Sequence, residues 1–155
     1  MNLVRGGRSP INVKIKPLVA GLISGIALGL FLKLIQSITS IKVYTLLLNV
    51  DYIPILKDLK LSEVVEFGLH IVISIGLAFV MNFYIIRKDF HREAIRRFVI
   101  RISLIVGLLL YPTTLLSERT PPITSAYAFL FWMAGHWIYG FVLGRNLQYK
   151  EGERV

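Results

Sequence analysis

The chain has 155 residues, of which 55% are hydrophobic and 17% are charged, and its mean hydropathy is +0.65. This composition excludes an ordinary soluble domain, and the absence of cysteine excludes disulfides and thiolate nucleophiles. The formal net charge of +9 would suggest nucleic acid in a soluble protein. Here the basic residues cluster at the ends of apolar stretches, where lipid headgroups and membrane orientation explain them, so no nucleic-acid partner is expected.

Four long apolar stretches predict four membrane-spanning helices, because about 20 mostly apolar residues cross a bilayer. The spans are predicted at about 17–38, 62–86, 98–116 and 125–143, with a basic tail at 1–16 and a second tail at 145–155. The connection at 39–61 is too polar and interrupted to span, which favours a short interfacial helix or a re-entrant flap. The sequence therefore predicts an all-α integral membrane four-helix bundle, with one membrane domain at 17–144 and no second domain.

The basic residues are distributed unevenly between the two sides of the predicted bundle. The two tails and the second connection, counted together with Arg101 at the start of the third span, carry thirteen Lys and Arg residues, while the first and third connections carry four. Because basic loops remain on the cytoplasmic side, this asymmetry predicts that both termini are cytoplasmic.

Small residues recur at four-residue spacing on three of the predicted spans, which places them along one helix face. Such rows let another helix backbone approach closely, either within the monomer or between copies. The candidate packing residues are Gly21, Gly25, Gly29, Gly107, Gly140 and Gly144.

Four residues inside the predicted spans form a candidate intramembrane polar cluster: Lys33, Glu66, His70 and His136. Lys33 and Glu66 lie at similar depth and could offset each other's burial, or Lys33 could extend to the surface while Glu66 only begins its helix. His136 is either a neutral imidazole bonded to a neighbouring helix or a step in a proton or ion path. A metal would need more ligands than these, so no metal and no cofactor is expected.

The second predicted connection is strongly basic. Its candidate lipid-contacting residues are Arg87, Lys88, Arg92, Arg96 and Arg97. They favour contact with anionic lipid headgroups, with docking of a cytoplasmic protein as the alternative.

Catalytic signatures such as G-x-S-x-G, H-E-x-x-H or a Walker A loop do not occur in the sequence. The pattern favours a non-enzymatic membrane protein that acts through helix packing and association with itself or a membrane-protein partner. Two alternatives stay open. One is an oligomeric proton- or ion-coupled transporter or channel that uses the intramembrane Glu and His residues, and the other is an intramembrane lipid-modifying enzyme.

Two short segments carry a resemblance to a known group: HIVISIG at 70–76 and AGHWIYG at 134–140. In these and in overall plan, the chain resembles the small four-span bacterial inner-membrane proteins called YagU-like and the related YqhR-like proteins. The matching positions are Gly21, Gly25, Gly29, His70, Pro121, Pro122, Gly135 and His136. The resemblance implies a four-span fold in the cytoplasmic membrane of a bacterium and supplies no activity. Lys33 and the long first connection are not features of that group.

Overall fold

The computed structural model describes residues 10–50, 53, 55, 59 and 61–149, with side chains from residue 15 onwards. Within these residues the chain is helical and contains no strand. Most of the predicted N-terminal tail and residues 150–155 of the C-terminal tail lie outside the described part, as does most of 51–60.

Five α-helices follow one another in the described part of the chain: α1 Pro10–Thr39, α2 Val43–Leu48, α3 Glu63–Lys88, α4 Arg92–Leu110 and α5 Ala126–Asn146. A 3-10 segment, Tyr111–Leu116, continues α4. Among the same residues, four segments are long and apolar enough to cross a membrane: Ile15–Thr39, Glu63–Lys88, Arg92–Leu116 and Ala126–Asn146. The predicted all-α class with four candidate spans is confirmed.

Two helices begin earlier than the sequence predicts. Helix α1 starts at Pro10, inside the segment predicted as a tail, and runs through Pro17. Proline is tolerated in a first turn, where its missing N–H has no partner in any case. Pro17 lies further inside the helix, where its missing N–H removes one backbone hydrogen bond. Its side chain is fully buried. Helix α4 starts at Arg92 because the basic residues before its apolar stretch are good helix formers.

The ends of the last two spans follow from local chemistry. The α-helix changes to 3-10 geometry at Tyr111, directly before Pro112, which has no N–H to donate. The hydroxyl of Ser125 caps α5 by accepting from the N–H of Ala128 at 3.3 Å. Ser62 occupies the N-cap position of α3, but its hydroxyl makes no capping bond. Its carbonyl accepts the first backbone bonds of that helix instead.

The long helices pack in the order α3, α1, α5, α4, so that α1 and α5 are central and α3 and α4 lie at the two edges. Lys16 near the start of α1 donates to the backbone carbonyl of Gln148 after α5. Both described ends of the chain therefore lie at one end of the bundle, which we call the terminal end. Helix α2 and the connection after α4 lie at the opposite end.

Glycines permit the close approach of neighbouring helices. A methyl group on Gly21 would lie 2.7 Å from the Cα of Ile75 on α3, and one on Gly140 would lie 2.8 Å from the Cα of Ile100 on α4. Gly144 lies against the backbone of Arg96 in the same interface as Gly140. The glycines of α1 thus face α3, and the last two of α5 face α4.

Candidate functional site: a cleft between two membrane helices

The two edge helices, α3 and α4, leave a cleft between them. They are consecutive in the chain, yet within the described residues they make few close backbone contacts with each other. At the terminal end the cleft is closed by aromatic rings, because Tyr84 of α3 stacks on Phe98 of α4 with centroids 5.3 Å apart. Towards the opposite end the helices are separated by a cavity.

This cavity has a volume of about 180 Å³ and a mainly apolar lining. Helices α3, α4 and α5 form its walls, and α2 with the residues after it covers it from the opposite end. The polar side chains in the lining come from Asn49, Glu66, His70, Ser74, Ser103, Thr113, Trp132, His136 and Tyr139.

Three of the four ionisable residues singled out in the sequence, Glu66, His70 and His136, line this one cavity. Lys33 does not line it. Its Nζ atom contacts Oε1 of Glu63 at 2.6 Å, and both side chains are about half exposed, at 54% and 55%. The ion pair between Lys33 and Glu66 that their similar depth suggests does not form. Lys33 binds Glu63 instead, which lies one turn nearer the start of α3.

Glu66 is paired with Arg119, which follows the 3-10 segment. The distance between Arg119 Nη2 and Glu66 Oε1 is 2.9 Å. The carboxylate side chain is 9% exposed, whereas the guanidinium side chain is 48% exposed. A buried carboxylate needs such a partner, since an unpaired charge in a low-dielectric site is strongly unfavourable. The pair connects the two edges of the cleft at the opposite end.

His70 carries an unsatisfied polar atom. The ring lies beside the backbone of Gly25 on α1. It also lies 5.9 Å from the ring of Phe67, measured between centroids. The Nε2 atom is buried and has no hydrogen-bond partner among the described residues. In the neutral ring that carries its proton on the other nitrogen, Nε2 is a hydrogen-bond acceptor.

His136 is held by its own helix and by α4. Its Nδ1 atom lies 3.0 Å from the carbonyl oxygen of Trp132, one turn earlier. The indole N–H of Trp132 donates to the carbonyl of Gly107 on α4 at 2.8 Å. A methyl group on Gly107 would lie 2.6 Å from Cγ of His136, so the absence of a side chain at this position makes room for the imidazole.

A serine and a tyrosine in the cavity lining join α3 to the two central helices. Ser74 donates to the carbonyl of Gly21 at 2.7 Å, and the Tyr139 hydroxyl donates to the carbonyl of Ser74 at 3.1 Å. Sequence reasoning did not place these residues in a site. Ser74 follows His70 by four residues on the same face of α3, and that spacing was the available signal. Glu63 and Arg119 were missed because nothing in the sequence shows which charges meet.

Helix α2 forms a cover that two side chains fasten to the bundle. The Oε1 atom of Gln36 on α1 accepts from the backbone N–H groups of Tyr44 and Thr45, each at 3.0 Å. The Tyr44 hydroxyl donates to Oε1 of Glu63 at 3.1 Å, and Lys33 binds the same oxygen. Burial and the adjacent Glu63 carboxylate raise the pKa of Tyr44 to about 12. The residues that follow Thr45 then line the cavity.

The basic residues predicted to contact lipid have differing surroundings. Arg87 lies over the ring of Phe83, 4.6 Å from its centroid, and Lys88 ends α3. The Nε atom of Arg92 donates to the carbonyl of Tyr149 at 3.2 Å, so part of this guanidinium fastens the C-terminal segment. Arg96 and Arg97 are exposed on α4.

The composition of the cavity lining indicates which ligands it could hold. In the described ranges, no group of three or more His, Asp or Glu side chains could hold a metal ion. The cavity instead combines an apolar wall with a few hydrogen-bonding groups, which is the usual composition of a small-molecule site. Scans against protein-family models, curated proteins and solved structures found no match to this chain.

Proposed function

We propose that this chain is a multi-pass membrane protein that binds a small, largely apolar molecule in the cleft between α3 and α4, as the substrate site of a small carrier. The molecule has one hydroxyl or similar donor group. Glu66, His70 and His136 supply the polar side of the site, and the apolar residues of α3 and α4 supply the rest.

The observation that carries this proposal is the buried Nε2 atom of His70, which has no partner among the described residues although its ring lines a cavity. A buried acceptor without a partner costs about 1–3 kcal/mol. A hydroxyl group in the cavity would recover much of that cost by donating to Nε2. The ligand expected here is therefore a hydrogen-bond donor attached to an apolar body.

The volume of the cavity limits the size of the ligand's apolar part. An apolar cavity of roughly 150 Å³ accepts benzene, and this one measures about 180 Å³. Exposed residues of α3, Val72 and Ile73, belong to its lining. The cavity therefore reaches the surface that faces lipid, which gives a membrane-dissolved molecule a lateral route of entry.

A cavity-filling substitution tests the proposal. 4-Bromophenol combines a ring of suitable size with a hydroxyl donor, and it should raise the unfolding temperature of the purified protein. Val106→Phe, inside the cavity, should abolish this stabilisation, whereas Ile105→Phe, on the exposed side of α4, should retain it. Equal stabilisation of both variants would exclude the cleft as the binding site.

The proposed orientation has both termini on the cytoplasmic side. It is supported by the thirteen Lys and Arg residues of the tails and second connection, Arg101 included, against four on the other side. The resemblance to YagU-like and YqhR-like proteins would make this a bacterial cytoplasmic membrane. A reporter fused after Val155 tests the orientation, and a reporter found outside the cell would contradict it.

Self-association is a second candidate function, favoured by one exposed face of α3. Val64, Gly68, Val72, Gly76 and Val80 follow one another at four-residue spacing, and the three valines are 66–80% exposed. A methyl group added to either glycine meets no atom of the described chain within 4 Å. Rows of small residues at this spacing mediate close contact between membrane helices. Cross-linking in native membranes with Gly76→Leu as the variant tests this role, and an unchanged assembly would exclude it.

A further inference from the structure

A second groove, at the terminal end of α4, is lined by Phe90, Ala94, Arg97, Phe98 and Arg101. Its volume is about 440 Å³. We infer that this groove binds the headgroup and upper acyl chain of an anionic phospholipid, with Arg97 and Arg101 contacting the phosphate. The inference does not depend on the function proposed for the cleft.

The charge in the groove is uncompensated. Arg97 and Arg101 are exposed and four residues apart, so both guanidiniums project from one face of α4. Neither has an ion-pair or hydrogen-bond partner among the residues that the structure describes. The nearest carboxylate along this helix belongs to Glu93, one turn before Arg97, and it pairs with neither.

The position of Arg101 along α4 indicates which kind of group must neutralise its charge. Arg101 lies nine positions after Arg92 at the start of α4, which is about 14 Å at 1.5 Å per residue. It therefore lies at the border of the apolar part of a candidate span. An exposed guanidinium at this depth is unfavourable unless it reaches an anion at the interface. Phosphate suits a guanidinium because its oxygens accept two parallel hydrogen bonds.

The remaining walls of the groove suit an acyl chain. The rings of Phe90 and Phe98 meet edge to face with centroids 5.3 Å apart, and Tyr84 of α3 stacks on Phe98. These contacts fix an apolar surface directly beside the two arginines. Ala94 has a small side chain, which leaves space on the same helix face. A charged headgroup site joined to an apolar channel matches a phospholipid better than a free anion.

The test compares two double variants with equal loss of charge. Native mass spectrometry of wild-type protein should show retention of phosphatidylglycerol in preference to phosphatidylcholine with the same acyl chains. Arg97→Gln/Arg101→Gln should weaken this retention roughly thirtyfold, as expected for two basic side chains at an anionic membrane surface. Lys42→Gln/Arg145→Gln alters two exposed basic residues outside both the groove and the predicted lipid-contacting set, and it should change the retention little. Equal losses would overturn the site in favour of general surface charge.

Two further measurements distinguish lipid phosphate from free phosphate and control for misfolding of the arginine variant. Sodium phosphate should stabilise the protein in detergent far less than phosphatidylglycerol does, and equal stabilisation would overturn the lipid assignment. Ala94→Leu fills the groove while keeping both arginines, and it should also weaken lipid retention. Full retention in folded Ala94→Leu protein would overturn the groove as the site, and this variant decides the question if the arginine variant does not fold.

Discussion

Arg119 binds Glu66 at 2.9 Å across the opening between α3 and the segment that follows α4. At the terminal end the same two helices are joined by the stacked rings of Tyr84 and Phe98. The cleft is thus fastened at both ends and separated in the middle, where Glu66, His70 and His136 line the cavity. This arrangement keeps the cavity open without a direct α3 to α4 interface.

Removal of the Arg119 charge should loosen the fastening at the opposite end. Arg119→Gln leaves the mostly buried Glu66 carboxylate without its charged partner, and we expect the protein to lose about 1–3 kcal/mol of stability. The measurement is reversible unfolding in mixed micelles. The double variant Glu66→Gln/Arg119→Gln should recover part of the loss, because no unpaired charge is then buried. If the double variant is as unstable as the sum of both single variants, the pair does not couple the two sides.

Helix α1 should tolerate no large residue where it meets α3. In Gly21→Leu the new side chain meets the Cα of Ile75, which a methyl group alone would approach to 2.7 Å. Overpacking of this kind costs about 1–3 kcal/mol, and the loss should appear as a lower unfolding temperature. Gly76→Leu is the matched control, since its added side chain points away from the described bundle. Similar destabilisation by both variants would contradict the packing described here.

The cover formed by α2 should weaken at high pH. The folded protein favours the neutral phenol of Tyr44, whose pKa is raised to about 12 from its usual value of 10.0. The folded state therefore binds the proton more tightly than the unfolded state. The contribution of this group is complete below pH 10 and is lost as the pH rises towards 12. Stability measured across this range should fall more steeply for wild type than for Tyr44→Phe.

Tyr127→Phe provides the control for this pH dependence, because Tyr127 is 69% exposed. Its stability should follow the wild-type curve between pH 10 and 12. If Tyr44→Phe and Tyr127→Phe give the same curve, the hydrogen bond from Tyr44 to Glu63 does not fasten the cover.

The number and approximate position of the candidate membrane spans could be predicted because apolar length is a local property of the chain. The starts of two helices were predicted less accurately, because proline and basic residues lie there. Pro17 lies inside α1, and the run of arginines after residue 91 forms the first turns of α4 rather than a connection. Local composition does not determine whether a polar segment continues a helix that is stabilised by packing elsewhere.

The candidate site was predictable only in part. Intramembrane position alone singled out Glu66, His70 and His136, which line one cavity. Their partners were not predictable, because Arg119 lies 53 residues from Glu66 in sequence and Lys33 meets Glu63 rather than Glu66. The cavity itself depends on the separation of α3 from α4, and a single sequence gives no measure of that distance.

The central claim is that a small molecule occupies the cleft, and the two tryptophans allow a direct measurement. Trp132 lines the cavity, whereas Trp137 is 48% exposed on the outside of α5. In Trp137→Phe protein, 4-bromophenol should quench the fluorescence of Trp132 with saturation, and the additional substitution Val106→Phe should remove the saturable part. In Trp132→Phe protein, quenching of Trp137 should rise linearly with concentration. Linear quenching of Trp132, or saturation unaffected by Val106→Phe, would contradict binding in the cleft.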